Sequence, residues 1–169
     1  MLLLLFYVGD DRYALESNRV VQILPNLTLK KVYHAPNYVS GLFNYRGQII
    51  PVVDISYLLR DQASPDLLST RIILVKNQVS APITSNSPST TTSSSLLGLR
   101  AERVTTTLDL PKTALKDRGM KVEASPYLGK IILDDQGIIQ LICPEYLLSE
   151  VEVLASPAPS IPLLSGADE

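Results

Sequence analysis

The sequence predicts an all-β fold. Three observations carry that reading: the apolar runs are short, about four to eight residues; they are rich in Val, Ile, Leu and Tyr; and Gly, Asp, Asn and Pro separate them. In order along the chain, LLLLFYV (residues 2–8) and RYAL (residues 12–15) flank GDD as the arms of a hairpin would. Further strands are expected over residues 19–24, 28–33, 48–53, 71–76, 96–100 and 104–108. A last hairpin sets YLGKIIL (residues 127–133) and IIQLIC (residues 138–143) around DDQG. Pro51 has no N–H to give to a ladder, so its strand should lie at an edge or carry a bulge there. Helices should be brief: a turn near residues 36–39, another around residues 56–60, and one at residues 144–149, where Pro144 suits a first helical position.

Two segments break this rhythm. VSAPITSNSPSTTTSSS (residues 79–95) is mostly Ser and Thr, with little apolar surface to offset the entropy lost on ordering. It reads as a flexible loop inserted between two strands, in preference to a phosphorylated regulatory segment. The end of the chain, residues 151–169, contains ASPAPSIPLLSGADE and is expected to be a Pro-rich disordered tail, with Leu163 and Leu164 as its docking residues.

Composition and the reactive inventory exclude most chemistry. The 169 residues are 46% hydrophobic and 19% charged, enough for a sizeable core without requiring two independent domains. A net charge of -2 gives no basic field for phosphate backbones, so nucleic acid is not an expected partner. The opening MLLLLFYVGDDR lacks a basic region and a cleavage site, and its apolar run stops at Gly9, Asp10 and Asp11, short of the roughly 20 residues of a spanning helix. A cytoplasmic protein without direct membrane insertion is expected.

The chain has a single histidine, His34, and a single cysteine, Cys143, so neither a disulfide nor a His/Cys zinc cluster can be assembled, and no metal or cofactor is expected. His34 reads as an exposed residue at a strand end, and Cys143 as a buried inert thiol in an apolar strand. The adjacent acids Asp134–Asp135 and Asp10–Asp11 read as hairpin turns rather than as acid and base catalysts. Gly41 and Gly47 lack the intervening glycine of a dinucleotide fingerprint, and nothing resembles a P-loop. The tyrosines are too scattered for an oligonucleotide-binding strand face. What remains is a protein that acts by contact and not as an enzyme.

The stretch APNYVSGLFNYRGQIIPVVDISYLL (residues 35–59) resembles the central signature of the CheW-like chemotaxis adaptor family: a short turn, a Gly, an Asn-x-Arg-Gly turn, then an apolar strand with Pro-Val and Asp. Both ends support it: LLLLFYVGDDRYALESNRVVQILP resembles the family's first hairpin and the segment after it, and LGKIILDDQGIIQLICPEYLL its last hairpin and short helix. The resemblance implies two small five-stranded SH3-like β-barrels packed as one domain over residues 1–150. It also implies a non-enzymatic adaptor coupling the cytoplasmic tip of methyl-accepting chemoreceptors to a CheA-type histidine kinase, recruited from the cytoplasm to receptor arrays. A stand-alone adaptor is expected rather than the regulatory domain of a kinase. The alternatives are a CheW-like scaffold of a pilus-motility or phototaxis pathway and, in different classes, a small-ligand-binding β-barrel and, last, a hydrolase whose site the motifs do not reveal.

Five residues are carried as candidates for partner contact: Arg46, Val20, Gly47, Asn44 and Glu102. Arg46 has two readings, an internal ion pair with Asp54 or Glu102 and a planar donor at a partner surface. Gly47 and Asn44 are expected first of all to shape the turn. Val20 matches a family contact position and reads as either core or an exposed apolar anchor. Three positions depart from the family pattern: Gln22 stands where an acid is frequent, Tyr45 replaces the usual Leu before Arg46, and GLRAERV places Arg100 and Ala101 ahead of Glu102.

Overall fold

The protein is described by a computed structural model covering residues 1–78, 94–117 and 125–147. Most of the Ser/Thr-rich stretch and all of the Pro-rich end lie outside the described residues. The strands are β1 (Leu2–Val8), β2 (Asp11–Glu16), β3 (Val20–Pro25), β4 (Val39–Tyr45), β5 (Gln48–Asp54), β6 (Arg71–Gln78), β7 (Ser94–Asp109), β8 (Leu115–Lys116), β9 (Leu128–Asp134) and β10 (Gly137–Ile142), with one short helix, α1 (Ile55–Arg60). They pair in the order β3-β6-β7-β1-β2-β10-β9-β8, and β4 joins through β5, which runs parallel to β7.

The long strand β7 holds the two halves together. Its first half pairs with β6 and β5, and its second half with β1. One curled lobe is therefore β3, β6, β7, β5 and β4; the other is β1, β2, β10, β9 and β8, closed against the far end of β7. Sequence reading expects two strands here, at 96–100 and 104–108. The break is instead a register shift between Leu5 and Tyr7 of β1, and Arg103 at φ 47 turns β7 from one lobe to the other without ending it. Ser94 and Ser95, expected in the loop, open β7, with Ser94 opposite Gln78.

Alternation along the strands explains the unbroken apolar runs. Leu3 and Leu5 of β1 enter the core of the second lobe with Ala14, Ile132, Ile139 and Leu141. Leu4, Phe6 and Val8, on the opposite face, join Leu15, Val53, Ile73, Val75, Leu97, Leu99 and Leu147 in a larger core where the lobes meet. A strand buried on both faces has no place for polar residues, so LLLLF shows no period of two. The same holds for β6, whose Ile72 and Leu74 are buried on the face opposite Ile73 and Val75. Each such fully buried side chain contributes about 1.5–3 kcal/mol.

Two local readings are corrected. Residues 28–33 form no strand; only Lys30 bridges, exchanging hydrogen bonds of 2.8 Å each way with Leu42. The strand lies at Val39–Tyr45, where Gly41 and Asn44 read as punctuation in the sequence. Gly41 has φ 149, and a Cβ there would stand 2.6 Å from the Lys30 carbonyl oxygen, so the crossing chain itself requires the glycine. Gly41→Ala is expected to cost about 1–3 kcal/mol by forcing Lys30 away, measured as a lowered midpoint in thermal or urea unfolding. Pro51 behaves as expected: it faces Leu42 of β4, while the pairing of β5 with β7 begins only at Val52. The turn near residues 36–39 is closed by Val39 N donating to the Pro36 carbonyl at 2.9 Å, and residues 145–147 are helical.

Candidate partner-binding site

The hairpin joining β4 to β5 ends with Tyr45 opposite Gln48, leaving Arg46 and Gly47 as the two turn residues. Their φ values, 51 and 85, are both positive, the backbone of a type I′ turn whose twist matches the flanking strands. The Asn44 side-chain oxygen accepts a hydrogen bond from the Gly47 N–H at 2.8 Å, so Asn44 and Gly47 both shape the tip. Arg46 is exposed, and its guanidinium lies over the Tyr45 ring, 5.2 Å from the centroid. Tyr45 meets Phe43 edge-on and donates its hydroxyl to the Gln22 side-chain oxygen at 2.7 Å, tying the tip of β4 to β3 across the open side of the first lobe. Two of the three departures from the family pattern are thus one contact.

The internal partners offered for Arg46 are elsewhere. The seven residues of β5 span roughly 20 Å at about 3.3 Å per residue, and Asp54 lies at the end away from the tip. Asp54 is 2% exposed and fully engaged. It caps α1 by accepting from the Tyr57 N–H at 3.2 Å, accepts from the Ser64 N–H at 2.9 Å and the Ser64 hydroxyl at 2.7 Å, and pairs with Arg100 at 3.4 Å. Arg100 also reaches Asp66 at 3.4 Å and donates to Asn26 at 3.2 Å. Glu102, nearly buried, sits opposite Tyr7 where β7 passes between lobes, beyond Arg100 and therefore also far from the tip. Val20 opens β3, half-buried against the larger core. Asn44, Arg46 and Gly47 share one tip, and Val20 and Glu102 lie apart from it.

Arg100 is the residue that sequence reading noted but did not place. A lone cation between Leu99 and Ala101 in an apolar strand was the available signal, because a charge in such a run needs a partner. The exposed apolar residues Val21, Ile23, Ile49, Leu67 and Leu68 gave no signal, since exposure is not written in residue type.

Among the reactive candidates, Asp134 accepts from Gln136 N–H at 2.9 Å, as an Asx turn does, and both its oxygens take hydrogen bonds from Arg12 at 2.7 and 2.5 Å. The Arg12 guanidinium holds this carboxyl down at about 2 against an ordinary 3.8. A lowered carboxyl pKa gives stability that is complete above about pH 4 and lost as pH falls through about 2. Asp134→Asn is therefore expected to lower stability at neutral pH and to flatten the acid limb of the stability profile between pH 4 and 2, read from urea midpoints across that range. His34 is exposed in a turn at φ 63. Cys143 lies one residue past β10 and is half-buried, not sealed within the strand as expected. Among the described residues no three His, Cys, Asp or Glu side chains group as a metal site, and no helix is long and apolar enough to cross a membrane.

The family model described as the CheW-like domain matches residues 2–152. The chain belongs to the CheW-like family. This CheW-like chain is similar to the chemotaxis protein CheW of Helicobacter pylori, 29% identical over 72 residues, covering 43% of the chain and 44% of that protein. It is similar also to the chemotaxis protein CheW of Rhizobium meliloti, 34% identical over 79 residues, covering 46% of the chain and 51% of that protein. The alignments of this CheW-like chain span about half the length of these curated relatives. Its fold matches that of the scaffolding protein TtCheW from Thermoanaerobacter tengcongensis with a TM-score of 0.70 at 19% identity, over 86% of each chain. The two lobes are accordingly the paired SH3-like barrels of a CheW-like domain.

Proposed function

We propose that this chain is a non-enzymatic adaptor that couples chemoreceptors to a CheA-type histidine kinase, with residues 1–150 acting as one CheW-like domain. The observation that carries the reading is the Arg46 tip on a CheW fold. A cation stands in solvent on a backbone that disfavours any non-glycine residue, and the carboxylates that sequence reading offered it, Asp54 and Glu102, lie at the other end of β5. Such a group is placed for an acidic or carbonyl-bearing surface on a partner. Arg46, Asn44 and Gly47 form the contact, with Val20 on a second surface near the meeting of the lobes. The mechanism makes and breaks no bond: receptor and kinase are held by separate faces, and receptor state shifts the arrangement that the adaptor favours.

The interior of the first lobe disfavours a ligand-binding barrel. Val52, Ile72 and Phe43 close around Gly98 so tightly that a Cβ there would meet Val52 at 2.9 Å and Ile72 at 3.0 Å. A small-molecule site needs roughly 300 Å³ or more of enclosed space, and the two described clefts above that size, one lined by Asn26, Asp66 and Arg100 and the other by Tyr33, His34 and Pro36, are open to solvent rather than inside a barrel. The chain acts in the cytoplasm and reaches receptor arrays through its partners. The test is retention of a CheA-type kinase and of a receptor tip fragment from the same source on the immobilised full chain. Capture of both, and a rise in kinase autophosphorylation when all three are combined with receptor membranes, is expected. A folded chain that retains neither overturns the proposal.

A further inference from the structure

Charge is divided unevenly along the chain. Residues 17–101, which supply β3 to β6, α1 and the first half of β7, carry eight Lys and Arg against three acids, in a chain of net charge -2. No Asp or Glu lies between Glu16 and Asp54, or between Asp66 and Glu102. The first lobe is therefore basic, and its acids are engaged elsewhere: Asp54 and Asp66 pair with Arg100, and Asp61 closes the C-terminal end of α1. Glu145, reaching the start of β3 from the second lobe, is matched by Arg19 at 3.4 Å.

Strand pairing brings two of the cations, Arg46 and Lys76, to one end of this lobe. The start of β5 and the end of β6 lie on the same side, because β5 runs parallel to β7 and β6 antiparallel to it. Lys76 follows Ile72 and Leu74 on one face of β6. That face is the interior, since Gly98, opposite Leu74, is enclosed by Val52, Ile72 and Phe43. Lys76 is exposed and so stands at the mouth of the interior. Gln22, also opposite Leu74, and Tyr45, two residues beyond Phe43, belong to the same mouth, where the Tyr45 hydroxyl donates to the Gln22 side-chain oxygen at 2.7 Å. Their register sets the Gln22 and Lys76 backbones roughly 8 Å apart. The Gln22 side-chain amide adds N–H donors to this rim. Among the described residues neither Arg46 nor Lys76 enters an ion pair.

We propose that this mouth is the docking surface for an acidic segment of a partner protein, whose carboxylates meet Arg46 on one side and Lys76 on the other, with the Gln22 amide between them. The proposal rests on the reading of the Arg46 tip as a partner contact, and adds to it Lys76, Gln22 and the acidity of the partner. The test is amide NMR on the isotope-labelled full chain, titrated with a decaglutamate peptide at about 50 mM and about 500 mM NaCl. Saturable shifts are expected at Gln22, Gly47 and Lys76, with an affinity that falls about tenfold or more at the higher salt and about tenfold in Lys76→Glu. Lys112→Glu, in the second lobe, should leave the titration unchanged. Lys76→Gln serves where Lys76→Glu loses the dispersed signals of Ile73 and Leu97 that mark the folded core. The proposal is overturned by absence of shifts at the mouth, by shifts of equal size at Lys112, Lys116 and Lys130, or by an affinity indifferent to loss of the Lys76 charge. The same variants are then measured against the CheA-type kinase and the receptor tip fragment. A parent chain that takes up the peptide at the mouth yet retains neither protein removes the adaptor reading and leaves the acidic site standing. Retention of both proteins with affinities that Lys76→Glu leaves within about twofold overturns this proposal and leaves the adaptor reading intact.

Discussion

Arg46→Glu should weaken binding of a CheA-type kinase or a receptor tip by about 2–5 kcal/mol while leaving the unfolding midpoint almost unchanged. The stability half of this expectation follows from the tip geometry. Arg46 is exposed, its turn is closed by Asn44 and Gly47, and the replacement adopts the same positive φ at similar cost. Among the described residues, the contact over the Tyr45 ring, about 0.5–1 kcal/mol at an exposed site, is the internal interaction lost. The binding half follows from charge: the variant removes a forked donor and sets an acid against whatever group the guanidinium met. Arg46→Lys, which keeps the charge without the fork, should fall between. Titration calorimetry with each partner and thermal unfolding of each variant check both halves; unchanged affinity for both partners in a stable Arg46→Glu protein removes Arg46 from the interface.

Asp54→Ala should lower stability by about 3–5 kcal/mol, the largest effect expected of any single change at the polar residues described above. Its carboxylate serves the amide and hydroxyl of Ser64, the amide of Tyr57 and the guanidinium of Arg100. Alanine leaves a largely buried cation whose remaining described partners are the neutral Asn26 and Asp66, the latter's side chain 85% exposed, and strips α1 of its cap, itself worth about 1 kcal/mol. Asp54→Asn retains an oxygen for the cap and should cost less. Arg100→Met on its own should be milder than Asp54→Ala, because Asp54 keeps its three hydrogen-bond donors. The double variant should recover about 1–3 kcal/mol relative to additivity. Urea unfolding of the four proteins measures the cycle, and a loss below about 1 kcal/mol for Asp54→Ala would mean that the network is not holding the lobe together.

Elements whose signal is local were legible in the sequence. The β1–β2 and β9–β10 hairpins lie where GDD and DDQG place them, and the boundaries of β1 match the apolar run LLLLFYV. The Arg46–Gly47 turn was legible for the same reason: a type I′ backbone is selected by the turn residues themselves. Strand β4 was not, because Gly41 reads as a breaker until the crossing of Lys30 over it is known. The unity of β7 was not either, since Arg103 at positive φ interrupts the pattern but not the pairing.

By itself the sequence determined the all-β class, an inventory of one histidine and one cysteine that cannot build a His/Cys zinc cluster, and the turn that carries Arg46. Each of these depends on residue identity or on neighbours within a few positions. Only the tertiary structure decided that Asp54 belongs to Arg100 and not to Arg46, that Tyr45 answers Gln22 across 23 residues of chain, and that Val21 and Ile23 remain in solvent beside a core that buries Val75 and Ile73. Those outcomes depend on strand order, register and the sharing of β7 by two lobes. Register is settled by how the apolar faces of all the strands pack together, and a slip of one residue would exchange every buried side chain for an exposed one.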